Sequence, residues 1–185
     1  MMPELSLNIL DVAQNSVTAG AKLTTIDIIA DTAADTLAIT ITDDGKGMTE
    51  EQISRVTDPF YTTRTTRSVG LGVPFLKMAC ELTGGELSIQ STVGFGTTIR
   101  AVFGLSHIDR MPLGDISGTF TALVGPVPEI DFLLRYSVDG RSFEADTREF
   151  RSVLGDVPLS EPQVLSFIEG FIRENREECD AGVAF

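Results

Sequence analysis

Leu37-Ala38-Ile39-Thr40-Ile41-Thr42-Asp43-Asp44-Gly45-Lys46-Gly47-Met48 is the stretch whose reading decides the fold. Its first half alternates aliphatic and β-branched residues, which predicts a half-buried strand over 37–42. The strand then runs into two carboxylates and two glycines. A carboxylate at a strand end can accept a hydrogen bond from an exocyclic amine, and flanking glycines let a flat ring approach the backbone. Taken alone, the Asp-x-Gly-x-Gly pattern fits an ordinary turn as well. A β-branched run at 25–29 precedes it across a turn at 33–35, which predicts an antiparallel pair.

Upstream, Leu5, Ile9, Val12 and Ala13 recur at helical spacing. They predict an amphipathic helix over 3–18, ended by Gly20. Asn8, Asp11 and Asn15 fall on one stripe of that helix, off the apolar face. A carboxylate and two carboxamides in line are costly to bury unless something polar stands in front of them. A hydrated magnesium ion bearing phosphates is such a group, since it takes oxygen ligands and keeps several waters. A solvated helix face accounts for the stripe equally well at this point.

Downstream, Thr49 and Gln52 form a capping-box pattern that predicts a short helix through Val56. Residues 58–69 are rich in threonine and arginine, carry no periodicity and are expected as a surface loop. Gly70-Leu71-Gly72 then opens a helix with Pro74 in its first turn, ending at Gly84-Gly85. Glycine-rich backbone at a helix N-terminus directs N–H groups and a positive dipole end at an anion. Arg64 and Arg67 precede it within reach of the same phosphates, although either is equally an ordinary surface arginine. Residues 86–93 and 97–103 read as a hairpin turning at Gly94-Phe95-Gly96. The order αββα–loop–αββ predicts an α+β fold in which helices cover one sheet as a two-layer sandwich.

Beyond residue 104 the pattern changes, so the chain is divided into a first part, 1–104, that carries the motifs above, and a small α+β extension, 105–185. Leu113, Ile116, Phe120 and Leu123 fit a helix, while Ile116, Phe120, Ala122 and Val124 also fit a strand. Residues 131–138 and 141–146 make a hairpin around Asp139-Gly140. Ser160 and Gln163 suggest a capping box for a last helix whose apolar face includes Val164, Phe167, Ile168, Phe171 and Ile172.

The order and spacing of these pieces resemble the GHKL superfamily of gyrase B, Hsp90-type chaperones, histidine kinases and MutL proteins. The resemblance covers nearly all of 5–103. Asp11-Val12-Ala13-Gln14-Asn15-Ser16-Val17-Thr18-Ala19-Gly20-Ala21 resembles the N box in its MutL and gyrase form. Asp43 to Gly47 is similar to the G1 box, and Asp58-Pro59-Phe60-Tyr61-Thr62-Thr63-Arg64 to the F box and lid of sensor kinases. Gly70 to Glu86 resembles the G2 box with its helix, and Gly94-Phe95-Gly96-Thr97-Thr98 the closing turn.

The resemblance implies the Bergerat-type ATPase fold and an ATP site with magnesium. It implies that Asn15 ligates the metal and that Asp43 accepts the adenine amine, with Thr98 nearby, directly or through water. Gly45 and Gly47 give the ring room; Gly70 and Gly72 close over the phosphates, and the 58–69 lid is ordered by nucleotide. Asp11 stands where hydrolytic members place a water-activating glutamate, here one methylene shorter, and Ser68 replaces the usual first glycine of the G2 box. Asn8 matches no motif position and is expected as polar surface.

Composition bounds the function. Of 185 residues 42% are hydrophobic, and the formal net charge is −13 with pI about 4.4. That excess argues against a duplex-binding surface, and the scarcity of aromatics against stacking on single strands. Residues 1–104 carry 7 basic and 12 acidic side chains, the remainder 7 and 15, so most surplus acid lies outside the expected pocket. No apolar run reaches membrane-spanning length, and Cys80 and Cys179 are far apart, which suits a reduced cytoplasmic protein. The only histidine, His107, partly resembles a kinase H box, but it follows the ATP region, Ile108 replaces the acid normally adjacent, and no long helix comes next. It is read as a linker residue. A kinase or slow ATPase acting on a separate protein client is expected, against an anti-sigma-like module that binds nucleotide and client without turnover. The C-terminal part is assigned client binding or dimerisation.

Overall fold

The computed structural model describes residues 4–57, 72–183 and 185. Helix α1 (Leu5–Thr18) buries Leu5, Ile9, Val12 and Ala13, the residues that set its period. Glu4 gives it no side-chain cap. Its first amides instead donate to backbone, Leu5 N to Pro112 O and Ser6 N to Leu113 O, so a distant segment closes the helix end. Gly20, at φ +74°, turns the chain out of the helix.

Strands β1 (Leu23–Asp31) and β2 (Thr36–Asp43) pair antiparallel, and helix α2 (Glu50–Arg55) starts on the Thr49–Gln52 capping box expected of it. Helix α3 (Gly72–Glu81) leads into the hairpin β3 (Glu86–Thr92) and β4 (Gly96–Gly104). The expected α+β order is therefore present, with Gly96 already inside β4 rather than in the turn.

The change of character at residue 104 is not a break in the sheet. Helix α4 (Ile116–Val124) is followed by β5 (Asp131–Val138) and β6 (Arg141–Asp146), and β5 pairs parallel to β1. One six-stranded sheet results, in the order β3-β4-β2-β1-β5-β6. Phe132, Leu133 and Leu134 are consecutive and all buried, in a strand flanked on both sides by β1 and β6. At the β5–β6 turn Asp139 and Gly140 both take positive φ, as a tight two-residue hairpin requires.

Helix, not strand, resolves the ambiguous 113–124 segment. Asp115 caps α4 by accepting from Gly118 N at 2.9 Å, and Ile116, Phe120, Leu123 and Val124 turn to the core. Helix α5 (Thr147–Leu154) is short and largely polar, so its apolar residues do not announce it; Asp146 caps it. Helix α6 (Pro162–Asp180) starts one residue later than the Ser160–Gln163 pattern suggests. Pro162 occupies the first helical position, where no N–H is needed, and Glu161 makes no side-chain cap. Of the expected apolar face, Val164, Ile168 and Ile172 are buried, while Phe167 stays exposed and meets Phe150 edge-on at 6.5 Å.

All large helices lie on one face. α1 packs between α3 and α4, α4 packs on α6, and α3 sits over β3 and β4. Leu37, Ile39 and Ile41, with Ile26, Ile28, Ile99, Ala101, Phe103 and Tyr136, face that layer in a single core. On the opposite face Arg135 bridges Asp27 and Glu144 across three strands.

Two caps set an acid limit. The Gly118 amide and Ser117 hydroxyl hold the Asp115 carboxyl below its ordinary value, and the Arg148 guanidinium does the same for Asp146. A depressed folded-state pKa contributes stability above the unfolded value of 3.8, lost as pH falls through the folded value. Urea melts taken from roughly pH 5 down to pH 2 should show falling stability, with a shallower fall in Asp115→Asn and Asp146→Asn variants.

Candidate nucleotide site

The end of β2 places Asp43 on the helix-facing side of the sheet, in step with Leu37, Ile39 and Ile41. Two donors fix its carboxylate: Ser16 Oγ to Oδ2 at 3.1 Å and Gly45 N to Oδ1 at 2.9 Å. Ser16 follows Asn15 on α1, so the asparagine-bearing helix and the glycine loop are joined directly. A carboxylate offers about four acceptor positions, and these two bonds leave capacity for a further donor.

The loop after Asp43 is held from both ends. Asp44 Oδ1 accepts from Lys22 N at 2.7 Å and Leu23 N at 3.0 Å, and Lys46 N donates to Ala19 O. From the other side Gly94 N donates to Lys46 O at 2.8 Å, and Met48 N to Ser91 Oγ at 2.8 Å. Gly47 has φ +67°, and a Cβ there overlaps the Thr92 carbonyl oxygen. Gly45 lies so close to Ala19 that a Cβ crowds it at 2.9 Å. Both glycines are thus required by the loop itself, beyond any room they give a ligand.

One turn before Asn15, the Asp11 carboxylate packs on Gly72, the first residue of α3, where a Cβ would overlap Oδ2. Helix α1 therefore touches the 43–48 loop through Ser16 and the start of α3 through Asp11. Asn15 is half-buried between these contacts. Of the expected site residues, Asp11, Asn15, Asp43, Gly45, Gly47 and Gly72 come together at one corner of the sandwich. Arg64, Arg67, Ser68, Gly70, Leu71 and the 58–69 lid lie outside the described residues.

Two expectations are corrected. Thr98 does not share a face with Asp43: its Oγ1 lies 3.2 Å from Thr42 Oγ1 on the opposite side of the sheet. The register pairs Asp43 with Thr97, which points with Ile99 towards the helices. Thr97 meets Ser91 Oγ at 2.9 Å and is the threonine that flanks Asp43. Counting by twos back from the apolar Ile99 identifies it in the sequence. Asn8 is not polar surface either. It is fully buried, and its Nδ2 donates to Glu4 O at 3.3 Å, so it packs inside α1's contact with its neighbours. Ser16 was the other residue missed; its position beside Asn15, one residue further round the helix toward the core, was the available signal.

The donor set suits a purine nucleotide with a hard cation. Asp43 can accept from an exocyclic amine, and Asn15 and Asp11 are oxygen donors on one helix edge, the ligand type magnesium takes along with water. His107 lies elsewhere. It is exposed in the turn after Gly104, which pairs with Thr36 at the far end of β2 from Asp43. The run of β4 from Thr97 to Gly104 alone separates them by roughly 23 Å.

Comparison with known proteins places the chain among relatives in sequence and fold. A segment of the heme sensor protein HssS of Staphylococcus saprophyticus is 34% identical over 95 residues, 49% of this chain and 21% of that protein. Sporulation kinase C of Bacillus subtilis is 29% identical over 96 residues, 52% of this chain and 22% of its own length. The chain thus spans about a fifth of the length of these relatives. In fold it is similar to the crystal structure of the N-terminal domain of a DNA repair protein, with a TM-score of 0.52 and 16% identity over 84% of this chain and 58% of that one. Residues 3–107, more than half of the chain, match the family model described as histidine kinase-, DNA gyrase B- and HSP90-like ATPase, and the chain belongs to that family.

Proposed function

We propose that the protein binds ATP with magnesium at the corner formed by α1, the 43–48 loop and the start of α3, and acts as a signalling kinase or slow ATPase on a separate protein. The observation that carries this reading is the double contact of α1, through Ser16 to Asp43 and through Asp11 to Gly72. When bound, the nucleotide supplies a γ-phosphoryl group for transfer. Asp43 accepts the base amine with its carboxylate held by Ser16 and Gly45. Thr97 flanks that carboxylate, and Asn15 Oδ1 holds the cation. In the enzyme reading Asp11 would receive the proton of an attacking hydroxyl.

The names of the relatives, a heme sensor and a sporulation kinase, support a signalling role. The distance of His107 from Asp43 supports an acceptor on another molecule. Among the described residues no helix is long and apolar enough to cross a membrane. Cys80 and Cys179 are buried free thiols, and burial pushes the Cys80 thiol up to about 11, which suits the reducing cytoplasm. A second reading, nucleotide-dependent client binding without turnover, is favoured by the short Asp11 side chain packed on Gly72.

Incubation with γ-labelled ATP separates these readings. The enzyme reading expects phosphate release or label on a co-purified protein, reduced at least about tenfold in Asp11→Asn with binding retained. His107→Gln should change neither release nor transfer by more than about twofold. Binding without any turnover favours the client module, and label on His107 itself contradicts the separate-acceptor reading.

A further inference from the structure

The sheet carries a hydroxyl next to Asp43 that the site described above does not use. Thr24, on β1, is fully buried, and its Oγ1 has no hydrogen-bond partner. Among the described residues only Asn8 Oδ1 shares that condition. Thr24 is the register partner of Asp43 across β1 and β2, so both side chains project to the same face. Directly opposed residues of an antiparallel pair hold their Cβ atoms about 5 Å apart. At that spacing a hydroxyl reaches a carboxylate through one water or after a single χ1 step.

Asp43 has room for this partner. Oδ2 is engaged by Ser16 from the α1 side and Oδ1 by Gly45 from its own loop. Thr97 flanks it from β4, and Thr24 flanks it from β1. The carboxylate thus stands in a row of hydroxyls, with Thr24 its neighbour on the β1 side. A buried hydroxyl left unpaired is unfavourable, and a neighbouring acceptor is the least costly remedy.

We infer that Thr24 is a positioning residue for Asp43, fixing the carboxylate plane so that the site prefers a 6-amino purine over a 6-oxo purine. The inference rests on the proposed role of Asp43 as acceptor for the base amine. A 6-oxo purine presents an acceptor to Asp43, so the preference depends on how firmly that carboxylate is held. Thr24 has no direct contact with phosphate or cation in this scheme, and its effect is confined to the choice of base.

Calorimetry of the full chain with magnesium, using ATP and inosine triphosphate as probes, tests it on Thr24→Val, Thr24→Ala and Thr24→Ser. The valine and alanine variants should lose about fivefold in ATP affinity with inosine triphosphate unchanged, so that the preference shrinks by the same factor. Serine, which restores the hydroxyl, should keep the wild-type preference. Unchanged preference in a folded valine or alanine variant overturns the inference, as does equal loss of both nucleotides with a lowered melting temperature. If Asp43→Asn abolishes the wild-type preference while the valine and alanine variants of Thr24 retain it, the role of Asp43 stands and that of Thr24 falls. If wild type binds neither probe, both fall together.

Discussion

Asp43→Ala is expected to weaken ATP binding at least about a hundredfold, by removing a charge-assisted acceptor from the base. The prediction has a local reason. Asp43 is placed by the end of β2, and Ser16 and Gly45 hold both its oxygens. An alanine removes the acceptor and releases Ser16, loosening the link between α1 and the loop. Asp43→Asn separates the two effects. It keeps the size and one oxygen but sets an N–H donor against either Ser16 or the Gly45 amide and removes the charge, so binding should fall nearly as far while the fold is retained. Calorimetry against Mg·ATP, with thermal melts alongside, reads both. An Asp43→Ala variant that binds ATP like wild type would remove Asp43 from the site.

Gly96→Ala should be strongly destabilising for a single added methyl. Gly96 has φ +117°, and a Cβ there overlaps the carbonyl oxygen of Asp43 and crowds Asp44 Cα at 2.9 Å. The new methyl meets backbone on the neighbouring strand rather than a flexible side chain, so β4 must move away from β2 where Asp43 is positioned. Strain of this kind costs about 3 kcal/mol. For a chain of this size that lowers the melting temperature by roughly 6–12 °C. Because the displaced strand also carries Thr97, ATP affinity should fall in the same variant. Gly94→Ala is the control: its φ of +84° brings strain, but no atom lies within 4 Å of the added methyl. A smaller loss of stability, with affinity retained, is expected there.

These glycines show why much of the fold could be read in advance. Period-two alternation at 37–42, the Thr49–Gln52 cap and the glycines ending α1 and α3 are local signals, and each element they announce is present. What local signals do not carry is pairing between distant segments. The parallel contact of β1 with β5 joins residues more than a hundred positions apart, so a shift of composition near residue 104 suggested a boundary where the sheet runs on. The buried run Phe132-Leu133-Leu134 was the trace of that contact. At α6, Pro162 moved the helix start by one residue and displaced the Ser160 cap.

In the site, residue identity was more legible than side-chain direction. Asp11, Asn15, Asp43, Gly45, Gly47 and Gly72 were recognisable because carboxylates, carboxamides and glycines in that order are unusual. Thr98 comes from the resemblance, and the closing turn does not by itself tell two adjacent threonines apart; the strand's parity, fixed by Ile99, selects Thr97. Asn8 was expected at the surface because its helix stripe is polar, whereas α1 is enclosed by α3 and α4 on both flanks.

The most direct test of the central claim, that nucleotide occupies the corner shared by α1, the 43–48 loop and α3, is a backbone amide NMR titration with Mg·ATP. The largest shifts are expected at Ser16, Gly45, Gly47, Gly72 and Thr97, with Ser106, just past the end of β4, and Asp139, in the β5–β6 turn, unmoved. Shifts concentrated around His107 or on the Asp27–Arg135–Glu144 face, with Gly45 and Gly72 unmoved, would contradict it.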